Sequence, residues 1–271
     1  MSSKLASIDP EVSRLMLFSQ KLAETARRET LARFASGCAV ENKGGDGAFD
    51  PVTEADRAAE TAMRELIESH FPDHGIQGEE YGDKASRSRY IWSLDPIDGT
   101  RSYMCGLPSW VTLIALLEDG EPVGGLIDNP CLDELYVGFA GKAYLQKGSL
   151  QVSIRTSGCT SLEDARLSTT DPYLFEPHAR QRFDRLRTCS RTIRWGYDGY
   201  AYARLAAGTL DLVVESALKP YDYNALIPIV RAAGGTFGDW SGGAEFKGGN
   251  VIAAATRELY LAAVSIMRDS A

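Results

Sequence analysis

The sequence predicts a mixed α+β fold, and three patterns in it carry that prediction. Apolar residues near the start recur at helical intervals. The stretch from residue 75 breaks into short strand-like runs separated by turn residues, and the second half alternates such runs with helical ones. The opening helix is expected over residues 10–35. Asp9 followed by Pro10 offers a cap and a first-turn proline, an apolar stripe runs from Val12, Leu15 and Met16 to Leu31 and Phe34, and Gly37 closes it. A Gly-rich loop covers 42–47. Thr53 then reads as the cap of a second helix, which carries Ala58, Ala62, Leu66 and Ile67 on one stripe and stops before Pro72.

After it the period shortens. Strands are expected at 75–79, 90–94, 111–117, 123–127, 135–137 and 143–146, in a largely antiparallel sheet with a hairpin turn at Glu118-Asp119-Gly120-Glu121. In the second half, strands at 165–168, 192–195, 212–215, 235–239 and 251–255 alternate with helices at 177–188, 200–207, 224–233 and 257–267. A polar Arg-Thr-Ser-Gly stretch places a soft boundary near Ser157, dividing residues 1–157 from 158–271.

The composition narrows the function. The chain has 271 residues, 44% hydrophobic and 24% charged, which is ordinary for a globular protein. A net charge of −8 leaves no electrostatic footprint for nucleic acid, so an anionic substrate would need local positive charge from bound cations. Cys38, Cys105, Cys131, Cys159 and Cys189 are scattered and odd in number, which argues against a disulfide framework or a zinc site. The first ten residues lack a basic region followed by an apolar core, and no apolar run approaches the ~20 residues of a membrane span. A cytoplasmic protein acting on a small soluble metabolite, with no membrane or nucleic-acid partner, is expected.

The most informative segment is Ile91-Trp92-Ser93-Leu94-Asp95-Pro96-Ile97-Asp98-Gly99-Thr100. A strand delivers Asp95 and Asp98 into a tight turn, and Gly99-Thr100 opens a short helix. Carboxylates suit hard cations such as Mg²⁺, and main-chain N–H groups beside a hydroxyl suit a phosphate. Three further acids point the same way: Glu79 in Gly78-Glu79-Glu80 at a strand end, Asp56 in the first turn of the helix after Thr53, and Asp222 in Lys219-Pro220-Tyr221-Asp222. Taken singly, each has an ordinary structural explanation. Asp-Gly marks a turn, Glu79 and Glu80 a solvated turn, Asp56 a helix-dipole partner, and Asp222 an N-cap. Their joint occurrence in this order is hard to assign to chance. No Ser–His–Asp or Cys–His set competes, since only His70, His74 and His178 are present, and His70 and His74 read as surface or helix-end residues.

This order of motifs resembles the inositol monophosphatase superfamily over nearly the whole chain. The resemblance implies a layered α-β-α-β-α sandwich with the site between the two halves, a homodimer, and Mg²⁺-dependent hydrolysis of a phosphate monoester using two or three ions. By resemblance, Glu79, Asp95 and the Ile97 carbonyl would bind one ion, and Asp95, Asp98 and Asp222 a second. Glu79 would help place a third. Asp56 with Thr100 would orient and deprotonate the attacking water, and the Gly99 and Thr100 amides would grip the phosphate. The chemistry agrees: a phosphate dianion repels hydroxide, and two metals about 3.5–4 Å apart neutralise the ester and acidify water.

Within the superfamily, the run after Thr100 (Arg101 to Trp110), the run Arg194 to Tyr202 and the run Leu218 to Asp222 look most like the histidinol-phosphate phosphatases. Tyr197, Asp198 and Glu215 would then face the alcohol part of the substrate. Two acids there suit an ammonium and a protonatable imidazole, which inositol lacks. A solvated loop acid is the other reading of Asp198. The sequence departs from the family at Tyr221, where a Trp is usual, and Lys43 is a candidate for the family's loop lysine at a longer spacing from Asp56. An inositol or broader sugar phosphatase, and a regulatory binding protein of the same superfamily, are the alternatives.

Overall fold

In the computed structural model, which describes residues 9–35, 40–42 and 51–268, the chain begins with α1 (Pro10–Arg33). Asp9 accepts a hydrogen bond from the Glu11 amide at 2.8 Å, as the Asp-Pro pair predicts. Gly37, Lys43 and the Gly-rich loop beyond Asn42 lie outside the described residues. A short antiparallel pair, β1 (Val40–Asn42) and β2 (Pro51–Thr53), leads into α2 (Glu54–His70).

Seven strands follow, with one short helix among them: β3 (Gly75–Gly78), β4 (Tyr90–Asp98), α3 (Thr100–Met104), β5 (Val111–Glu118), β6 (Glu121–Asn129), β7 (Glu134–Phe139), β8 (Lys142–Lys147) and β9 (Leu150–Ser153). They form one sheet in sequence order, antiparallel except that β3 runs parallel to β4. The β5–β6 turn places both Asp119 and Gly120 at positive φ (52° and 86°), as a tight two-residue hairpin requires.

The rest of the chain comprises β10 (Arg166–Thr169), α4 (Pro177–Cys189), β11 (Thr192–Trp195), α5 (Asp198–Ala206), β12 (Leu212–Glu215), α6 (Pro220–Tyr223), α7 (Leu226–Ala232), β13 (Thr236–Gly238), β14 (Val251–Ala254) and α8 (Arg257–Met267). The second sheet has the order β11-β10-β12-β14-β13. Here β10 pairs parallel with β11 and β12, while β14 pairs antiparallel with β12 and β13. The helix expected at 224–233 is α7, which starts at Leu226, and a separate short helix, α6, opens at Pro220 before it.

Alternating side chains assign each sheet face to a partner. Trp92, Leu94, Ile114, Leu116 and Leu126 pack with Leu15, Leu22, Met63 and Ile67 of α1 and α2. The opposite face, through Leu113, Ala115, Ile127 and Tyr136, packs on α5 and α7, which also cover Val213 and Ala253 of the second sheet. The far face of that sheet packs Leu167, Val214 and Ile252 against Phe183 and Leu186 of α4 and Leu259 of α8. The result is a five-layered α-β-α-β-α stack. Each fully buried large apolar side chain contributes about 1.5–3 kcal/mol. The middle layer of α5, α6 and α7 holds both sheets, so residues from both halves meet at its edge. Among the described residues, no helix is long and apolar enough to cross a membrane.

Candidate active site

Strand alternation along β4 decides where its acids point. Trp92 and Leu94 face α1 and α2, so Ser93 and Asp95 face the middle layer, where the Asn224 side chain donates to Ser93 Oγ at 3.2 Å. The pairing of β4 with β5 shifts register between Asp95 and Asp98, and this irregularity turns Asp98 toward the same side. Thr112 Oγ1 donates to the Pro96 carbonyl at 2.7 Å and pins the bend. Gly99 then takes φ +91°, a left-handed conformation that suits glycine. A Cβ there would lie 3.0 Å from Asp198 Oδ2 and 3.3 Å from Trp110 Cα. Thr100 opens α3, and its hydroxyl donates to the Ile97 carbonyl at 3.1 Å.

Asp222 arrives from the middle layer. It is the third residue of α6, where its carboxylate accepts the Lys219 amide at 2.6 Å. Carboxylate oxygens of Asp95, Asp98 and Asp222 all lie within 4.8 Å of one another. Glu79, just past β3, is tied to β4 by its amide, which donates to the Leu94 carbonyl at 3.3 Å. Its side chain is close enough to Asp95 to share a proton with it.

Crowding dominates the electrostatics. Burial pushes the Asp95 carboxyl well above the usual range, and Glu79, Asp98 and Asp222 push it further. Burial does the same to Asp98, reinforced by Asp198 and Asp222 and opposed by the Gly199 amide. Asp222 is raised to about 7, by burial first and then by Glu79, against the Lys219 amide. Such a group of acids needs either protons or a cation. The donors are all oxygen, and Asp95 Oδ1 and Asp56 Oδ1 are buried without a hydrogen-bond partner, so the residues fit a hard divalent ion.

Asp56 is 1% exposed at the third position of α2, where its Oδ2 accepts from the Thr53 amide (2.9 Å) and hydroxyl (2.6 Å). Its capping role is real, yet Oδ1 stays unused. Burial lifts its pKa to about 6, Thr53 opposes that, and Glu80 adds to it. Asp56 and Thr100 do not hydrogen-bond each other: the Thr100 hydroxyl donates to the Ile97 carbonyl, and Asp56 Oδ1 has no partner.

The proposed substrate residues lie beside the acids. A cavity of about 120 Å³ is lined by Asp98 and Asp222 on one side and by Asp198, Glu215 and Thr170 on another. Glu215 is 4% exposed and accepts from the Thr170 amide (2.6 Å), the Thr170 hydroxyl (3.0 Å) and the Thr169 hydroxyl (3.2 Å). Burial nonetheless raises it to about 8. Asp198 opens α5 at φ +45°, and burial raises it to about 6, with Thr170 and Arg101 opposing. Tyr197 precedes α5 and packs half-buried on the central core, and it is not among the residues lining that cavity. A larger cavity of about 420 Å³ lies against Arg182, Trp240 and Lys247, and none of the clustered acids lines it. The chemistry, rather than the volume, singles out the smaller one.

Sequence reasoning missed Thr170, which holds Glu215 and Asp198. Its signal was its place just after a strand of a partly parallel sheet, where ligands gather. It also missed Gly199, whose amide donates to Asp98. His74 is a correction: the ring is buried, stacks on Phe71 at 4.7 Å and accepts from Trp92 Nε1 at 3.2 Å, so it belongs to an aromatic core instead of the surface.

Residues 11–270 match the inositol monophosphatase family. The chloroplastic bifunctional phosphatase IMPL2 of Arabidopsis thaliana is 42% identical over 236 residues, 86% of this chain and 66% of that protein, so the chain spans just under two thirds of its length. A histidinol-phosphatase of Chlorobaculum parvum is 38% identical over 225 residues, 82% of this chain and 84% of the other. The structure of an inositol monophosphatase from Zymomonas mobilis superposes with a TM-score of 0.82 at 38% identity, covering 96% of this chain and 99% of that one.

Proposed function

The chain belongs to the inositol monophosphatase family, and from that premise we propose that it is a Mg²⁺-dependent phosphatase hydrolysing L-histidinol phosphate to L-histidinol and phosphate. The phosphatase class and a metal requirement come with the family. Glu79, Asp95, the Ile97 carbonyl, Asp98 and Asp222 would hold the cations. When bound, these would neutralise the ester, acidify water and stabilise the leaving oxygen.

The chain's own groups supply the rest. Asp56 presents an unpartnered, buried oxygen to take the proton of the attacking water, and its burial favours proton uptake there. The Gly99 and Thr100 amides at the start of α3 would orient the phosphate oxygens. Thr100 also holds the Ile97 carbonyl in place while leaving it a second lone pair.

One observation carries the substrate. Asp198 and Glu215 face the cavity that opens onto Asp98 and Asp222, so the wall beside the phosphate site is itself acidic. Two carboxyls sharing Thr170 call for a cationic group, and the ammonium of histidinol phosphate provides one. Similarity to a histidinol-phosphatase supports this reading. Similarity to an inositol monophosphatase structure supports the rival, inositol 1-phosphate.

The test is phosphate release with Mg²⁺ from L-histidinol phosphate and from myo-inositol 1-phosphate under identical conditions. We expect kcat/KM to favour histidinol phosphate by at least ~100-fold, about 2.7 kcal/mol. Equal values, or a preference for inositol phosphate, reject the substrate while leaving the metal-dependent hydrolysis standing.

A further inference from the structure

Glu60 lies one helical turn after Asp56 on α2, is fully buried, and takes no part in the chemistry described above. Its bonds show what it does. Oε2 accepts the Glu80 amide at 2.8 Å, and Oε1 accepts the Tyr81 amide at 3.3 Å and Arg64 Nε at 2.7 Å. Arg64 in turn donates to the Gly82 carbonyl and lies over the Tyr81 ring, 5.9 Å from its centroid. A Cβ at Gly78 would overlap the Glu60 carboxylate and the Arg64 guanidinium, so the strand end comes as close to α2 as a backbone can. The turn that follows β3 is therefore gripped through its backbone by one acid–base pair.

We propose that Glu60, supported by Arg64, is the positioning residue of the metal site: it clamps the turn at 79–82 onto α2 and thereby fixes where the Glu79 carboxylate can reach. The inference rests on the reading of Glu79 as a metal ligand. Glu79 is held from the other side as well, where its amide donates to the Leu94 carbonyl next to Asp95. Between these two grips the turn has little freedom. A single rigid element, α2, carries the water-activating Asp56 at its first turn and the clamp at its second. It thus sets the distance between the base and the ligand that must act together. Ligand orienters of this kind typically change metal affinity ~10–100-fold when removed, because a ligating carboxylate misplaced by a fraction of an ångström binds poorly.

A purely structural ion pair would behave differently. It would lower the melting temperature and leave metal affinity alone. In Glu60→Gln the side chain keeps its size, but one of its two acceptors becomes an NH₂ group facing either the Glu80 amide or the Arg64 and Tyr81 donors. Either orientation loosens the turn.

The test uses the full chain, wild type and two variants, with Mn²⁺ as the probe ion titrated by electron paramagnetic resonance of the free metal. Melting of the metal-free protein and phosphate release at saturating Mg²⁺ are measured beside it. We expect Glu60→Gln to weaken Mn²⁺ binding at least ~10-fold and Arg64→Lys about threefold, with turnover at saturating metal recovering to within about threefold of wild type. Wild-type Mn²⁺ affinity in a folded Glu60→Gln protein overturns the proposal, whatever its melting temperature. If that variant does not fold, Arg64→Lys decides, and unchanged affinity there overturns it too. A wild-type chain that binds no Mn²⁺ rejects the ligand reading of Glu79 itself, and the clamp with it.

Discussion

Asp198 is the residue at which backbone and function make separate demands. Its φ of +45° is a conformation that Asp and Asn tolerate better than other side chains, and its carboxyl faces the cavity that reaches the acid cluster. Asp198→Asn therefore keeps the backbone and removes only the charge. If that charge meets the substrate ammonium, KM for histidinol phosphate rises at least ~10-fold, in keeping with ~1.5–3 kcal/mol for a hydrogen bond to a charged group. KM for inositol 1-phosphate then changes by less than about threefold, and kcat changes little for either. Steady-state kinetics on both substrates decides it, and equal shifts remove Asp198 from ammonium recognition. At this scale much was legible. Carboxylate oxygens of Asp95, Asp98 and Asp222 do come within 4.8 Å of one another, and Glu79 stands beside Asp95. Glu60 was not legible, because an acid in the middle of an amphipathic helix reads as a solvated face. Only the packed turn shows it to be buried.

Elements carry the site by their ends. The first turn of α5 is where this matters most, because the Gly199 amide donates to Asp98 and stabilises that carboxylate against its acidic neighbours. A Cβ at Gly199 would overlap Asp98 Oδ2 and lie 3.1 Å from Val111 Cγ2 and 3.2 Å from Leu113 Cδ2. Gly199→Ala should push α5 away from Asp98. The expected results are a loss of about 1–3 kcal/mol in chemical denaturation, as for other overpacked sites, and at least ~10-fold weaker Mn²⁺ binding. A variant that is destabilised but binds metal normally would confine Gly199 to packing. Long periodic elements, such as α1 and α2, were readable within a few residues. The strands that escaped are too short for a period to stand out: β9 has four residues, and β1 and β2 have three each. The parallel pairing of β3 with β4 was equally hidden, since alternation fixes a strand's faces but not its direction.

For the whole molecule, folding itself assembles the acids. Glu79, Asp95 and Asp98 come with the seven-stranded sheet, and Asp198, Glu215 and Asp222 come from beyond residue 158, so tertiary structure alone makes them neighbours. That convergence has a thermodynamic sign. Asp56 and Asp198 near 6, Asp222 near 7, Glu215 near 8, and Asp95 and Asp98 raised above their ordinary values all bind protons more tightly folded than unfolded. A raised folded pKa contributes stability at low pH that is lost as pH climbs through it, here between about 4.5 and 8. Asp211, Asp239 and Glu134, held below their usual range, lose their contribution only at pH below that window. His74, lowered chiefly by burial, works in the opposite direction, but it sits among aromatic rings and is not one of the clustered acids. In EDTA the protein should therefore be less stable at about pH 8 than at about pH 5.5. Saturating Mg²⁺ should stabilise it far more at the higher pH, because the ion binds the ionised acids and displaces the protons that otherwise relieve them. Urea denaturation at the two pH values, with EDTA and with Mg²⁺, measures the four free energies. If Mg²⁺ adds the same increment at both, the raised acids are not its ligands, and their crowding serves something other than a cation.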